Sequence, residues 1–148
     1  MTMRFLIDAK VLIYTRDYRD KPKQEAASRW LLHLAEREAA IVNVQVLNEI
    51  CHVGLRKLKH LSQAEIRRWI DDLADFGCSP VDADTIAGAW PIYLRYGLGW
   101  FDCLVLSAAE SLGCTHVLTE DMGAPRQIGA LQLVNPFVAG PRDVLSTS

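Results

Sequence analysis

The chain has 148 residues, half of them hydrophobic and 23% charged, with a formal net charge of −2. Such a length suits one domain burying about 70% of the surface its unfolded chain exposes, and the apolar content excludes disorder. The near-neutral charge excludes a global basic field of the kind that marks many nucleic-acid binders.

Taken in order, residues 3–7 read as a first buried strand, ended by Asp8. Pro22 opens a helix to about residue 38, with Ala26, Ala27, Trp30, Leu31 and Leu34 at helical spacing. A short strand over residues 40–43 leads into a second helix, residues 44–59, whose apolar seam is Val46, Ile50 and Val53. Ser62 with Glu65 is a capping-box signature for a third helix to about residue 76. Residues 77–81 form a weak strand or extended turn. Asp82 or Asp84 then caps a helix toward Tyr96, in which Pro91 is expected to kink or break the run. Gly97 and Gly99 stop it, and a further helix spans residues 101–112. Residues 115–119 (THVLT) and 131–134 are the last strands, and the chain beyond Phe137 has the composition of a loose tail. Strands alternating with helices predict a largely parallel sheet flanked by helices on both sides. In such sheets ligands bind outside the carboxyl ends of the strands. We therefore expect one domain over residues 1–140 and a loose tail over 141–148.

No apolar stretch approaches the roughly 20 residues that span a bilayer, and the first apolar run is too short for a signal peptide and holds Asp8. Cys51, Cys78, Cys103 and Cys114 lack CxxC spacing, sit among apolar neighbours and read as reduced core residues. Together these point to a cytoplasmic protein without membrane partners. Two local basic clusters stand out against the neutral balance: Arg16, Arg19, Lys21 and Lys23, then Arg56, Lys57, Lys59, His60, Arg67 and Arg68. Each reads either as a solvated helix face or as a polyanion contact.

Four acidic residues sit where burial is expected. Asp8 ends the first strand, Glu49 lies on the apolar seam of its helix, Asp102 shares a face with Leu98, Val105 and Leu106, and Asp121 follows the THVLT strand. Asp8, Asp102 and Asp121 each have a capping alternative, whereas Glu49 in mid-helix has none. If all four meet at the carboxyl edge of the sheet, their mutual repulsion demands protonation or a cation, because unit charges 4 Å apart repel by roughly 4 kcal/mol at an effective dielectric of 20. An all-oxygen donor set suits Mg²⁺ or Mn²⁺, and such ions support phosphodiester hydrolysis.

The stretches FLIDAKVLIY, VLNEI, GWFDCLVLSAAES and VLTED…LVNPF, in this order, resemble the PIN-domain family, and within it the VapC-type toxins of bacterial toxin–antitoxin pairs. The resemblance runs from about residue 3 to 137. It implies a three-layer α/β/α sandwich around a central, mostly parallel sheet, and an Mg²⁺- or Mn²⁺-dependent endoribonuclease that is often a homodimer and is held inactive by a cognate antitoxin. It implies catalytic roles for Asp8, Glu49, Asp102 and Asp121, with Asp8, Asp102 and Asp121 as metal ligands, Thr119 orienting a carboxylate and Glu120 as an outer acid. The departure is Lys10, where the family usually carries Asn. Lysine offers donors and a positive charge but no acceptor. Pointing inward, it neutralises Asp8 and competes with a metal; snorkelling outward, it leaves the site intact; a third possibility is contact with a substrate phosphate. The alternative to a nuclease is thus a catalytically silent PIN-like domain that binds RNA or an antitoxin.

His33, His52, His60 and His116 lack ligand spacing, and Ser107 has no paired base. Trp30, Trp69, Trp90 and Trp100 read as core or dimer surface, with Trp100 and Phe101 the exception as possible groove residues beside Asp102.

Overall fold

The structure, a computed structural model, describes residues 2–145. The elements are β1 (Phe5–Ile7), α1 (Ala9–Tyr14), α2 (Lys21–Glu36), β2 (Ala40–Asn43), α3 (Val44–Lys57), α4 (Gln63–Ala74), β3 (Cys78–Ser79), α5 (Ala83–Tyr96), α6 (Trp100–Ser111), β4 (His116–Leu118), β5 (Arg126–Ile128), β6 (Leu131–Val134) and α7 (Pro141–Leu145). The strands form one sheet in the order β3-β2-β1-β4-β6-β5, all pairings parallel except that of β5 with β6. This largely parallel sheet, flanked by helices, is the expected three-layer architecture.

The central strands are short apolar runs because both of their faces are covered. Every residue of β1 and β2 is buried. Phe5 of β1 stacks on His116 of β4 at 4.4 Å and tilts against Trp30 of α2 at 5.7 Å. On α2 the buried residues are Ala27, Trp30 and Leu34, one stripe at helical spacing. Caps mark the helix starts: Asp20 on α2, the reciprocal Ser62–Glu65 box on α4, and Asp82 on α5. Each such cap contributes about 1 kcal/mol.

Several elements differ from expectation or carry no assignment from the sequence. The run after Asp8 is helical, because Asp8 caps it through the Ala9 N–H and the core buries Val11, Leu12 and Ile13. Burial here overrides the modest helix propensity of β-branched residues. Pro91 neither breaks nor ends α5, which runs on to Tyr96 and stops at Gly97, in the left-handed region at φ 64°. Strand β5 had no sequence signal and is supplied by antiparallel pairing with β6. The segment expected to be a loose tail forms α7, with Pro141 and Leu145 buried, and the Trp30 indole N–H donates to the Ala139 carbonyl at 2.9 Å just before it; residues 146–148 lie outside the described residues. The cysteines are all free, but Cys78 is exposed, since strand β3 lies at the sheet edge, and Cys51 of α3 is only half-buried; Cys103 and Cys114 are core residues. No helix of the described residues is long and apolar enough to cross a membrane.

Helix α5 packs along α6 at a close crossing. A Cβ on Gly88 would lie 2.5 Å from the Ser107 Oγ, which is buried and donates to the Thr85 carbonyl at 2.8 Å. Ser107 thus ties two helices together and is no nucleophile. We expect Gly88→Ala to destabilise the protein by about 1–3 kcal/mol through overpacking, although alanine is favoured over glycine in a helix by about 1 kcal/mol. Denaturant melts of Gly88→Ala with and without Ser107→Ala check this: the double variant should recover part of the loss.

Candidate acidic site

The chain leaves β1 toward β2 on one side of the sheet, while β4 lies on the other, so the strand order reverses between β1 and β4. A ligand crevice opens at such a switch point, outside the carboxyl ends. Asp8 follows β1 directly, and Thr119, Glu120 and Asp121 follow β4. Asn43 ends β2 and caps α3 by accepting from the Val46 N–H at 2.9 Å, which places Glu49 in the second turn. Asp102 lies in the first turn of α6, after Gly99, which offers no side-chain cap.

Asp8 is buried, with 6% exposure. One of its oxygens accepts from the Ala9 N–H at 2.8 Å, the other from the Thr119 hydroxyl at 2.8 Å. Thr119, itself fully buried, in turn accepts from the Asp121 N–H at 3.1 Å, so one hydroxyl joins the ends of β1 and β4. Burial drives the Asp8 pKa up to about 6; the two hydrogen bonds oppose that shift, and the Asp102 and Glu49 charges add to it. Asp102 is half-buried, and its pKa is raised by that burial, then by Asp121 and Glu49, with Lys10 opposing. Asp102 is therefore coupled to each of the other three predicted acids, and Asp8 to Glu49 as well.

They do not converge to ligating distance. Among the described residues no three His, Cys, Asp or Glu side chains stand close enough together to hold a metal ion. Lys10 stands beside them. Its ammonium meets Asp121 at 3.3 Å rather than Asp8, from a side chain 57% exposed. Burial pulls its pKa down, but Asp121, with Glu120 and Tyr14 beyond, outweighs this and raises it. The donor set has the all-oxygen chemistry of a magnesium site; its placement, with Asp121 paired to an ammonium and no three of the acids close together among the described residues, does not fit one.

Glu120 enters a network that the sequence did not announce. Its carboxylate accepts from the Tyr14 hydroxyl at 3.0 Å and from Lys23 at 2.9 Å. Burial alone would raise its pKa, yet Lys23 and Tyr14 bring it below the ordinary value. The expected outer acid is thus a largely covered ion-pair partner, joining residues 97 positions apart. No spacing rule detects such a pair. Glu49 accepts from the Gln45 amide at 3.3 Å on the same helix face.

The PIN domain profile matches residues 5–127, which is most of the chain and includes every residue of the acidic site. The chain belongs to the PIN-domain family. No curated protein matches it in sequence. Among solved structures, this PIN domain is similar to FitAB bound to an IR36 DNA fragment, with a TM-score of 0.70 at 18% identity, covering 90% of this chain and 95% of that one. It is also similar to a toxin–antitoxin complex from Klebsiella pneumoniae, at 0.64 and 17%, covering 88% and 96%. A third is Mycobacterium tuberculosis VapC20, a sarcin–ricin loop cleaving toxin, at 0.55 and 15%, covering 76% and 86%. At these identities the likeness is one of fold.

Proposed function

We propose that this PIN domain is a toxin-type module whose acidic pocket is silenced by its own cation, Lys10, and that it binds RNA or an antitoxin protein instead of acting as an efficient nuclease. The observation that carries the reading is the Lys10–Asp121 contact at 3.3 Å, in a pocket whose acids do not close to ligating distance among the described residues. An ammonium already supplies one of the positive charges that the four carboxylates demand. What remains is a negatively charged crevice in which Asp8, Glu49 and Asp102 have no ion-pair partner among the described residues. Such a crevice attracts a guanidinium from a partner protein, since a carboxylate matches that planar fork in two hydrogen bonds. Several solved relatives in fold are toxin–antitoxin complexes, which supports an antitoxin as the protein partner.

The nuclease reading keeps one observation in its favour: Asp8 and Asp102 are each raised in pKa, by burial first and further by neighbouring carboxylates, as in a cluster that would receive positive charge. In that reading Asp8, Asp102 and Asp121 would hold Mg²⁺ or Mn²⁺ and Glu49 would complete the set, the ion neutralising charge on an RNA phosphodiester during hydrolysis. Calorimetric titration with Mn²⁺ separates the two. Silencing predicts no saturable binding at millimolar metal; saturable binding that Asp102→Asn abolishes would sink it. A homodimer belongs to the same proposal, through the exposed apolar residues Ile86, Trp90, Tyr93 and Leu94 of α5 with Phe101 of α6.

A further inference from the structure

A cluster of positive charge gathers where α2 meets α7, away from the acidic crevice. Because β1 and β2 are parallel, α2 must run back from the carboxyl edge of the sheet to its amino edge. Lys23 in its first turn reaches Glu120 beside the crevice. Arg29 and His33 lie further along the same helix, about 9 and 15 Å from Lys23 at 1.5 Å per residue.

The core side of α2 brings α7 to this place. Trp30 is fully buried and donates its indole N–H to the Ala139 carbonyl at 2.9 Å, and Pro141 is buried just beyond. Arg29 and His33, at i and i+4, share one flank of α2. His33 Nδ1 donates to the Arg29 carbonyl at 2.9 Å; a carbonyl only accepts, so Nε2 is the ring nitrogen left for a ligand. Arg29, His33, Gly140, Pro141 and Arg142 line a cavity of about 330 Å³, and no carboxylate lines it with them. Small-molecule sites begin at about this size. Among the described residues Arg29, His33 and Arg142 have no carboxylate within ion-pairing distance. The acids nearest in sequence are Glu25, Glu36 and Asp143, of which Asp143 is engaged by the Gly140 N–H at 2.8 Å. Arg37 adds a further cation beside them, its Nη1 donating to the His33 carbonyl at 3.4 Å.

We infer that this cavity is a binding site for a small phosphorylated molecule, held by its phosphomonoester group. Two guanidiniums present planar forks that match phosphate oxygens, and His33 Nε2 supplies a third donor when protonated. Docking of α7 on Trp30 gathers these like charges where no carboxylate offsets them, and a dianion offsets two at once. That count separates a phosphomonoester, which is close to doubly charged near neutral pH, from an internal phosphodiester of a nucleic acid, which carries a single charge. The site lies beyond the function proposed above and holds whatever the acidic crevice binds.

The test is calorimetric titration of the full chain with inorganic phosphate at about pH 7.5, where the dianion prevails, and at low salt. One saturable site is expected. Arg29→Gln and Arg142→Gln should each weaken it at least about tenfold, the loss of one charge-assisted hydrogen bond. Both side chains are exposed, so circular dichroism should be unchanged. Arg56→Gln on α3, which lines no part of the cavity, should bind phosphate as the parent does. Phosphate should also raise the melting temperature of the parent and not that of the double variant. Dimethyl phosphate, with its single charge, should bind at least about tenfold more weakly than inorganic phosphate. No saturable binding by the parent, parent-like binding by either cavity variant, an equal loss in Arg56→Gln, or equal binding of dimethyl phosphate would each overturn the proposal.

Discussion

Exchanging Lys10 for Asn should raise the affinity for Mn²⁺ roughly thirtyfold over the parent. The ammonium now stands 3.3 Å from Asp121 and is close enough to Asp102 to lower its pKa. A divalent ion about 4 Å from a unit positive charge is repelled by about 2 kcal/mol even at the dielectric of water, and by more in a partly covered crevice. Asparagine removes that repulsion, frees Asp121 and provides an acceptor as well as a donor. The same exchange should leave the melting temperature nearly unchanged, because exposed ion pairs contribute about 0–1 kcal/mol. Paired calorimetric and thermal measurements read both quantities. An unaltered Mn²⁺ isotherm would show that something other than Lys10 keeps the acids apart, and the proposed silencing would fail with it.

The second large effect concerns Asp8. In metal-free buffer at pH 8, Asp8→Asn should be more stable than the parent by about 2 kcal/mol, and the gain should fade toward pH 4. Burial places the folded pKa near 6, against 3.8 for the free side chain. A raised carboxyl contributes stability that is fully present below 3.8 and is lost as pH rises through about 6. Two units correspond to about 3 kcal/mol, of which some is given back where the Thr119 hydroxyl must turn to accept from the new amide. For a domain of this size the difference is about 4–8 °C in melting temperature. A gain of equal size at both pH values would mean that the Asp8 charge is not what destabilises the crevice.

Both predictions arise where sequence and structure part company. The four acids were legible one by one because each breaks an apolar pattern: Asp8 ends β1, Glu49 interrupts the seam of α3, Asp102 opens α6 and Asp121 follows β4. Their mutual influence was expected from the topology of a parallel sheet. That Lys10 reaches Asp121, far off in the chain but at the end of the neighbouring strand, was not, because a side chain of four methylenes can turn to either neighbour and local spacing does not choose. Glu120 illustrates the same limit, since its partners Tyr14 and Lys23 come from two different helices.

The basic clusters show the limit from another side. Separately each resembles an ordinary solvated face; only the contact of His60 with Arg16 makes them one surface. Helix α1 and strand β5 were likewise invisible, the first because an apolar β-branched run favours a strand until burial decides otherwise, the second because its only determinant is its partner β6.

The sequence alone determined the alternation of strands and helices, the main caps, the buried stripes and the four misplaced carboxylates. These follow from periodicity and from local hydrogen bonding, which act within a few residues. Tertiary structure alone decided which charge each acid faces, whether the acids close on a cation, and which exposed cations share a surface. Those depend on distances between residues far apart in the chain, and only the folded arrangement of the sheet and its helices sets such distances.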